Sequence, residues 1–306
     1  MEATWRWVLV TAIAPVAWGS TYYVTSEFLP AGHPLYGAAI RALPAGLLLL
    51  LVCRSRPRGV WWRRSVVLGV LNTSAFFALV YLAAQLLPTS IASVIMASSS
   101  VVMMLIAWAV LAERPAAAAA VGAALGITGV VTMLLTGVEA VSPGGVTASV
   151  GAMLMSSVGF VLARRWSGEV PVLDSTAWQL VAGGVVVLPV AVLVEGAPPV
   201  LDGPALAGFA YVGVVATALA FTAWFTGLRH LRAGTVGLVG LLNPVTGVLL
   251  GTALAAEALT GRQVAGIALV LAGILLALPR SGKARRPRRA ETSVSPPRAG
   301  TAPTVP

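Results

Sequence analysis

Cysteine is almost absent from this 306-residue chain: Cys53 stands alone, and the only histidines are His33 and His230. A single cysteine closes no intramolecular disulfide and forms no half of a cysteine metal pair. Two histidines this far apart, both falling in loops of the parse below, make no shared metal site. Charge is equally scarce. Asp, Glu, Lys and Arg together make up 10% of the residues, against about 25% in an ordinary soluble domain. That shortage of polar surface excludes a soluble enzyme, a disordered protein and a nucleic-acid-binding domain. No aspartate stands in the middle of an apolar run, and HExxH and GxSxG are both missing. An intramembrane enzyme is therefore not expected, nor any cofactor or metal. Lysine is represented by Lys283 alone against 19 arginines, a GC-rich coding bias that carries no information on activity.

What the chain does have is apolar length. Hydrophobic residues account for 58% and the mean hydropathy is +0.91. Ten apolar segments can be marked, at 7–27, 34–53, 64–84, 90–111, 116–136, 145–164, 176–195, 206–228, 235–256 and 262–279. The breaks between them carry turn chemistry, such as Pro57 with Gly59 and Pro143 with Gly144. Each run is apolar on all sides and close to the ~20 residues that cross a bilayer as a helix, not the alternating ~10 of a barrel strand. The stretch Trp5 to Tyr23 resembles a signal peptide, but it runs too long and leads straight into nine more segments, so it reads as the first span. The expected fold is an all-α integral membrane protein of ten transmembrane helices.

The basic residues test that parse. With the N-terminus in the cytoplasm, 18 of the 20 fall on the cytoplasmic side: Arg6, the Arg54–Arg64 loop, Arg114, Arg164 and Arg165, Arg229 and Arg232, and seven from Arg280 onward. Arg262 alone falls outside, and Arg41 lies within a span. This is the positive-inside pattern of a multi-pass plasma-membrane protein with both termini cytoplasmic. The net charge of +10 is thus an orientation signal and not a nucleic-acid signal. Residues 281–306 turn basic and then Pro-, Ser- and Thr-rich, the composition of a disordered tail that an anionic lipid surface can attract.

The two halves repeat each other. A shift of 144 places Gly69 on Gly213, Thr73 on Thr217, Phe77 on Phe221, Glu113 on Glu257, Gly122 on Gly266 and Gly129 on Gly273. A shift of 138 aligns Gly46 with Gly184 and Arg41 with Gln179, and the difference of six falls in the loop after the second segment. The expected domains are a first five-helix repeat at 1–138, a second at 139–280, and the tail. Because five is odd, consecutive units enter the membrane in opposite directions. Inverted repeats of this kind are a transporter device that alternates access to a midplane site.

The chain resembles the EamA-type members of the drug/metabolite transporter superfamily over residues 5–280. The likeness rests on the duplicated unit and on the repeat ends LAERPAAAAAVGAALGITGVV and AAEALTGRQVAGIALVLAGIL. In each, Glu is followed nine residues on by Gly and again seven later. LLNPV in the ninth segment, Trp18 and Arg41 add to it. The resemblance implies a ten-helix inner-membrane carrier, often an exporter of amino acids or other small metabolites. In one departure, Ser100 stands where the second repeat has Pro244. A channel or lipid scramblase is the alternative, although the spans offer no continuous polar lining. The partners expected are a small-molecule substrate and membrane lipids, with a homodimer left open.

Midplane polar groups are the candidates for substrate contact, because hydrocarbon penalises them unless they face protein or water. Trp18, Thr21 and Tyr22 lie on the first segment, Asn72 and Tyr81 on the third, Ser99 on the fourth, Gln179 on the seventh, Trp224 on the eighth and Asn243 on the ninth. Interhelical hydrogen bonding is the competing reading for the serines and threonines. Pro244 is expected to free a carbonyl beside Asn243. Arg41 lies seven residues into its segment; it has three readings, an anionic substrate group, a pair with Glu27, or snorkelling to headgroups. Glu113 and Glu257 end the fourth and ninth segments, as coupling groups or as helix-end contacts. Trp5, Trp7, Trp61, Trp62, Trp166 and Trp178 read as interface anchors, and Gly247 with Gly251 as a packing face. Small multidrug-resistance carriers of the same superfamily keep a Glu near the middle of the first helix. Here that zone is Ala17 to Thr21 with no acid, so a neutral or zwitterionic substrate is expected.

Overall fold

The computed structural model describes residues 2–30, 32–87, 89–134, 142–254 and 259–278. Glu257, the tail from residue 279 and the Tyr22 side chain lie outside the described residues. All regular structure among the described residues is helical. In chain order α1 is Glu2–Phe28, α2 Pro34–Cys53, α5 Ala117–Leu134, α6 Pro143–Trp166, α7 Val172–Glu195 and α10 Gly261–Ala277. Four rods are composite. α3 joins Trp61–Gly69, Val70–Ser74 and Ala75–Leu86; α4 joins Thr89–Ala97 and Ser99–Leu111; α8 joins Gly203–Gly213, Val214–Leu219 and Ala220–His230; α9 joins Ala233–Val239 and Leu242–Leu254. Among the described residues nine helices are long and apolar enough to cross a membrane, and α10, with 17 residues, is a shorter apolar helix.

Local chemistry starts several of these rods. Pro143 follows the cap Ser142, whose hydroxyl accepts from the Gly145 N–H at 3.4 Å, and Asp202 accepts from the Ala205 N–H at 2.8 Å. Thr260 and Gln263 form a reciprocal capping box that fixes where α10 begins. Such caps satisfy amide donors that a helix start leaves without partners.

The central parts of α3 and α8 are π-helical, over Val70–Ser74 and Val214–Leu219. These segments coincide under the 144 shift. A π turn widens the helix and leaves carbonyls that the α pattern would have used, and it recurs at functional sites. In α3 the Ser74 hydroxyl returns to the Gly69 carbonyl at 3.3 Å and crosses to the Gly183 carbonyl at 2.8 Å.

α4 and α9 are each broken at matching points. The Leu241 N–H tightens onto the Leu238 carbonyl at 3.0 Å, and the Ser98 N–H onto that of Ile95 at 3.1 Å. Pro244 lacks the N–H that would have met Gly240, but the Asn243 N–H takes that carbonyl at 3.0 Å. The expected free carbonyl is therefore occupied. The first repeat reaches the same break without proline: Ser98 and Ser100 back-bond to the carbonyls of Val94 and Ala97, at 3.4 and 3.1 Å, a habit that bends helices.

Packing pairs α1 with α8 and α9, α6 with α3 and α4, α2 with α7, and α5 with α10. Exchanging the two sets of five leaves this pattern unchanged. The self-paired contacts are reciprocal. Gly122 lies against Gly273, and Gly129 against Gly266 so closely that a Cβ on either would fall 2.6 Å from the other's carbonyl oxygen. Those crossings run in opposite chain directions, so α5 and α10 are antiparallel. Likewise a Cβ on Gly46 would sit 2.7 Å from the Val181 nitrogen, while Gly184 faces Leu43. Small residues let backbones approach where lipid offers helices no hydrophobic drive to associate.

Three expectations need correction. Gly251 meets nothing within 4 Å; the close crossing of α9 is with Gly19, whose Cβ would lie 2.6 Å from the Asn243 oxygen. Trp61 and Trp178 are buried and do not face outward: their rings meet edge to face at 5.7 Å, and the Trp178 indole donates to the Ser55 carbonyl at 3.1 Å. His230 closes α8 and does not sit in a loop; its ring stacks on Trp7 at 3.6 Å. Large apolar side chains such as Leu51 and Leu193 remain on the outside, where lipid is their solvent.

Candidate functional site

The π segment of α8 gathers the sequence candidates of the first repeat. The Ala216 carbonyl accepts from the Trp18 indole at 2.9 Å and from one terminal nitrogen of Arg41 at 3.5 Å. The Arg41 Nε donates to the Thr217 hydroxyl at 3.0 Å. Ala216 and Thr217 are fully buried. The guanidinium lies over the Phe77 ring, 4.2 Å from its centroid, a favourable cation–π placement. α1, α2, α3 and α8 therefore converge on one part-buried cation. Arg41 does not reach Glu27, and it points into the bundle and not to the headgroups.

Aromatic rings extend the site along α8. Thr217, Phe221 and Trp224 are spaced at four and three residues, one helix face. Trp18 meets Phe221 at 5.4 Å and Trp224 at 5.2 Å, and Phe160 of α6 meets Trp224 at 5.3 Å. Trp224 is 2% exposed, and its indole N–H has no hydrogen-bond partner among the described residues. An orphaned buried donor costs roughly 1–3 kcal/mol.

The matching region of the other repeat is built differently. The Asn72 amide donates to the Gln179 carbonyl oxygen at 3.0 Å, and both side chains are 1% exposed. The Asn72 oxygen fills the space over Gly159, which admits no side chain there. That oxygen and the Thr73 hydroxyl have no partner among the described residues. Asn72 and Gln179 thus come together, as do Trp18, Arg41 and Trp224.

The remaining candidates are not drawn in. The Thr21 hydroxyl returns to the Ala17 carbonyl of its own helix at 3.2 Å. Ser99 opens the second half of α4, and Asn243 lies near the start of the second half of α9; both are part-buried, like Tyr81 on α3. Among the described residues no hydrogen bond or ring contact joins these three side chains to Arg41 or Trp18. Glu113 holds a helix end. One carboxylate oxygen pairs with Arg164 at 3.2 Å, and the other accepts from the Ala233 N–H that starts α9 at 3.1 Å. Arg164 also donates to the Arg229 carbonyl at 2.9 Å. Glu195 plays the same part for α2, accepting from the Leu35 and Tyr36 N–H groups at 2.6 and 2.9 Å.

Sequence reading missed Ala216, Phe160 and Tyr211, whose hydroxyl bonds that of Ser20 at 2.6 Å. Phe77, Phe221 and Thr217 did carry a signal, as matched positions of the repeat. Ala216 carried none, since its part is played by a backbone oxygen.

Comparison with known proteins agrees with this architecture. Two successive stretches, residues 5–135 and 143–278, each match the EamA-like transporter family. The chain is 34% identical over 265 residues to the protein PecM of Dickeya dadantii, covering 86% of this chain and 89% of that one. It is 26% identical over 279 residues to a probable amino-acid metabolite efflux pump of Salmonella typhimurium, covering 85% and 91%. A third relative, at 26% over 269 residues, is the uncharacterized inner membrane transporter YedA of Escherichia coli K12, covering 85% and 87%. A crystal structure at 20% identity shares the fold, with a TM-score of 0.77 over 89% of this chain and 96% of that chain. Matched along both halves and built as a multi-pass bundle of apolar helices, the chain belongs to the EamA-like transporter family.

Proposed function

We propose that this protein is a secondary transporter, working as an exporter, that carries a small neutral or zwitterionic metabolite such as an amino acid across the plasma membrane by alternating access. Its ten helices form two inverted five-helix repeats, residues 1–138 and 139–280, followed by a basic cytoplasmic tail, with both termini in the cytoplasm. The antiparallel, reciprocal crossing of the equivalent helices α5 and α10 supports the inversion, and the distribution of arginines supports the orientation.

The observation that carries the reading is the convergence of Trp18 and Arg41, from the first repeat, on the π segment of α8, from the second. A polar group set between two repeats is where rocking of one against the other changes access. Export of an amino-acid metabolite is what the name of the Salmonella relative suggests for this chain.

The test is a metabolite screen of overproducing cells, followed by flux of the metabolite found in proteoliposomes. A carrier shows saturable flux and counterflow, and Trp18→Ala lowers both. Non-saturating flux without counterflow would make the protein a channel or scramblase instead.

A further inference from the structure

Matching positions of the two repeats handle charge in opposite ways. Gln179 is neutral, and the neutral Asn72 amide answers it at 3.0 Å. Arg41 carries a full charge inside a span, seven residues into α2 or about 10 Å along it, and only neutral groups answer it. Its Nε binds the Thr217 hydroxyl, one terminal nitrogen reaches the Ala216 carbonyl at a long 3.5 Å, and Phe77 supplies a ring face. No carboxylate lies within ion-pair distance of it among the described residues, whereas Arg164 and Arg64 pair with Glu113 and Glu169. The second terminal nitrogen makes no hydrogen bond among the described residues. A guanidinium kept in a span without a counter-charge costs several kcal/mol, and its unoccupied donors make a planar fork.

We propose that Arg41 is the docking point for a carboxylate of the transported metabolite, which supplies the missing counter-charge. This rests on the carrier reading above and narrows it to substrates that bear a carboxylate. The fork of a guanidinium matches the two oxygens of a carboxylate. One monoanionic carboxylate balances the guanidinium charge for charge. A dianionic phosphate would leave a net negative charge beside Phe77, Phe221 and Trp18, where low polarity penalises it. The long bond to Ala216 is the one a bound carboxylate displaces, and the Nε bond to Thr217 holds the guanidinium plane meanwhile. The Trp18 indole, which shares the Ala216 acceptor, stands beside this position. Because Gln179 is already paired with Asn72, the second repeat offers no equivalent anion site.

The test uses the purified full-length protein in nonionic detergent, with its thermal unfolding midpoint followed against amino acids and keto acids, each paired with its primary amide. Wild type, Arg41→Gln and Arg41→Lys are compared. At least one carboxylate stabilises wild type while its amide does not. That affinity falls roughly 10–100-fold in Arg41→Gln, the range of a lost charge-assisted hydrogen bond. In Arg41→Lys, which keeps the charge but not the fork, the preference for carboxylate persists with weaker affinity. Equal stabilisation by the amide, undiminished carboxylate binding in Arg41→Gln, or no carboxylate that stabilises wild type would each overturn the proposal. Should Arg41→Gln fail to fold, Arg41→Lys decides, since wild-type affinity in it removes the forked docking. Saturable counterflow that is unchanged in Arg41→Gln would remove this proposal and leave the carrier standing.

Discussion

The π segments of α3 and α8 occupy equivalent places in the two repeats, yet their surroundings differ in kind. Around Val70–Ser74, Asn72 and Gln179 pair amide to amide and Gly159 closes over them. Around Val214–Leu219, a guanidinium and an indole share one backbone oxygen, and aromatic rings line the approach. The devices that shape the backbone were kept in both copies: the π turn, the break in the fourth helix, and the glycine crossings that serve twice. The side chains set on them diverged. Scaffold follows the repeat and chemistry departs from it, as the proposed carrier, with one asymmetric molecule between two similar halves, would require.

That contrast can be broken at several points. The largest expected effect is all or none and concerns the inverted relation itself. A reporter fused after residue 139 reads as periplasmic and one fused after residue 167 as cytoplasmic; the opposite result at either site refutes the ten-span arrangement. Next comes the shared scaffold. Gly122→Leu drives a side chain into the Gly273 backbone and destabilises the fold by roughly 1–3 kcal/mol or more, visible as loss of monodisperse protein in detergent. Gly251→Leu, with nothing within 4 Å, leaves the elution profile unchanged.

The chemical asymmetry predicts a crossed pattern of smaller effects. Arg41→Gln lowers transport while expression and unfolding midpoint stay near wild type. Gln179→Ala instead strips Asn72 of its partner and costs about 1–3 kcal/mol of stability, while the protein that folds still transports. If both variants behave alike, the two π segments are functionally equivalent and the contrast fails. The smallest effect belongs to Glu113→Gln. It removes a part-exposed ion pair worth about 0–1 kcal/mol and keeps an acceptor for the Ala233 N–H. Accumulation driven by a pH gradient in proteoliposomes that disappears in Glu113→Gln/Glu257→Gln would make these two residues the coupling site.

Much of the scaffold was legible before any coordinates. Turn residues between apolar runs mark the helices, and the internal shift marks the glycines that touch in the structure, Gly122 on Gly273 and Gly129 on Gly266. The site was legible only as a set of polar names. Trp18, Arg41, Asn72, Gln179 and Trp224 are all candidates in the sequence, but Arg41 carries three readings there, and Ser99, Tyr81 and Asn243 stand in the same set. The proline of α9 drew attention that its serine-built counterpart in α4 did not, because a hydroxyl that bends a helix looks like any other serine in sequence.

The sequence by itself determined the solvent, the helices, the duplication and the family. Those follow from apolar length, turn residues and register, quantities read locally along the chain or by comparing it with itself. Only the tertiary structure decided that Arg41 and Trp18 meet at one carbonyl, that Asn72 answers Gln179, and that Trp61 and Trp178 turn inward. Those pairings join residues more than a hundred positions apart. They depend on how closely glycine-lined helices cross and on which carbonyls a π turn releases, and neither is a property of any one segment.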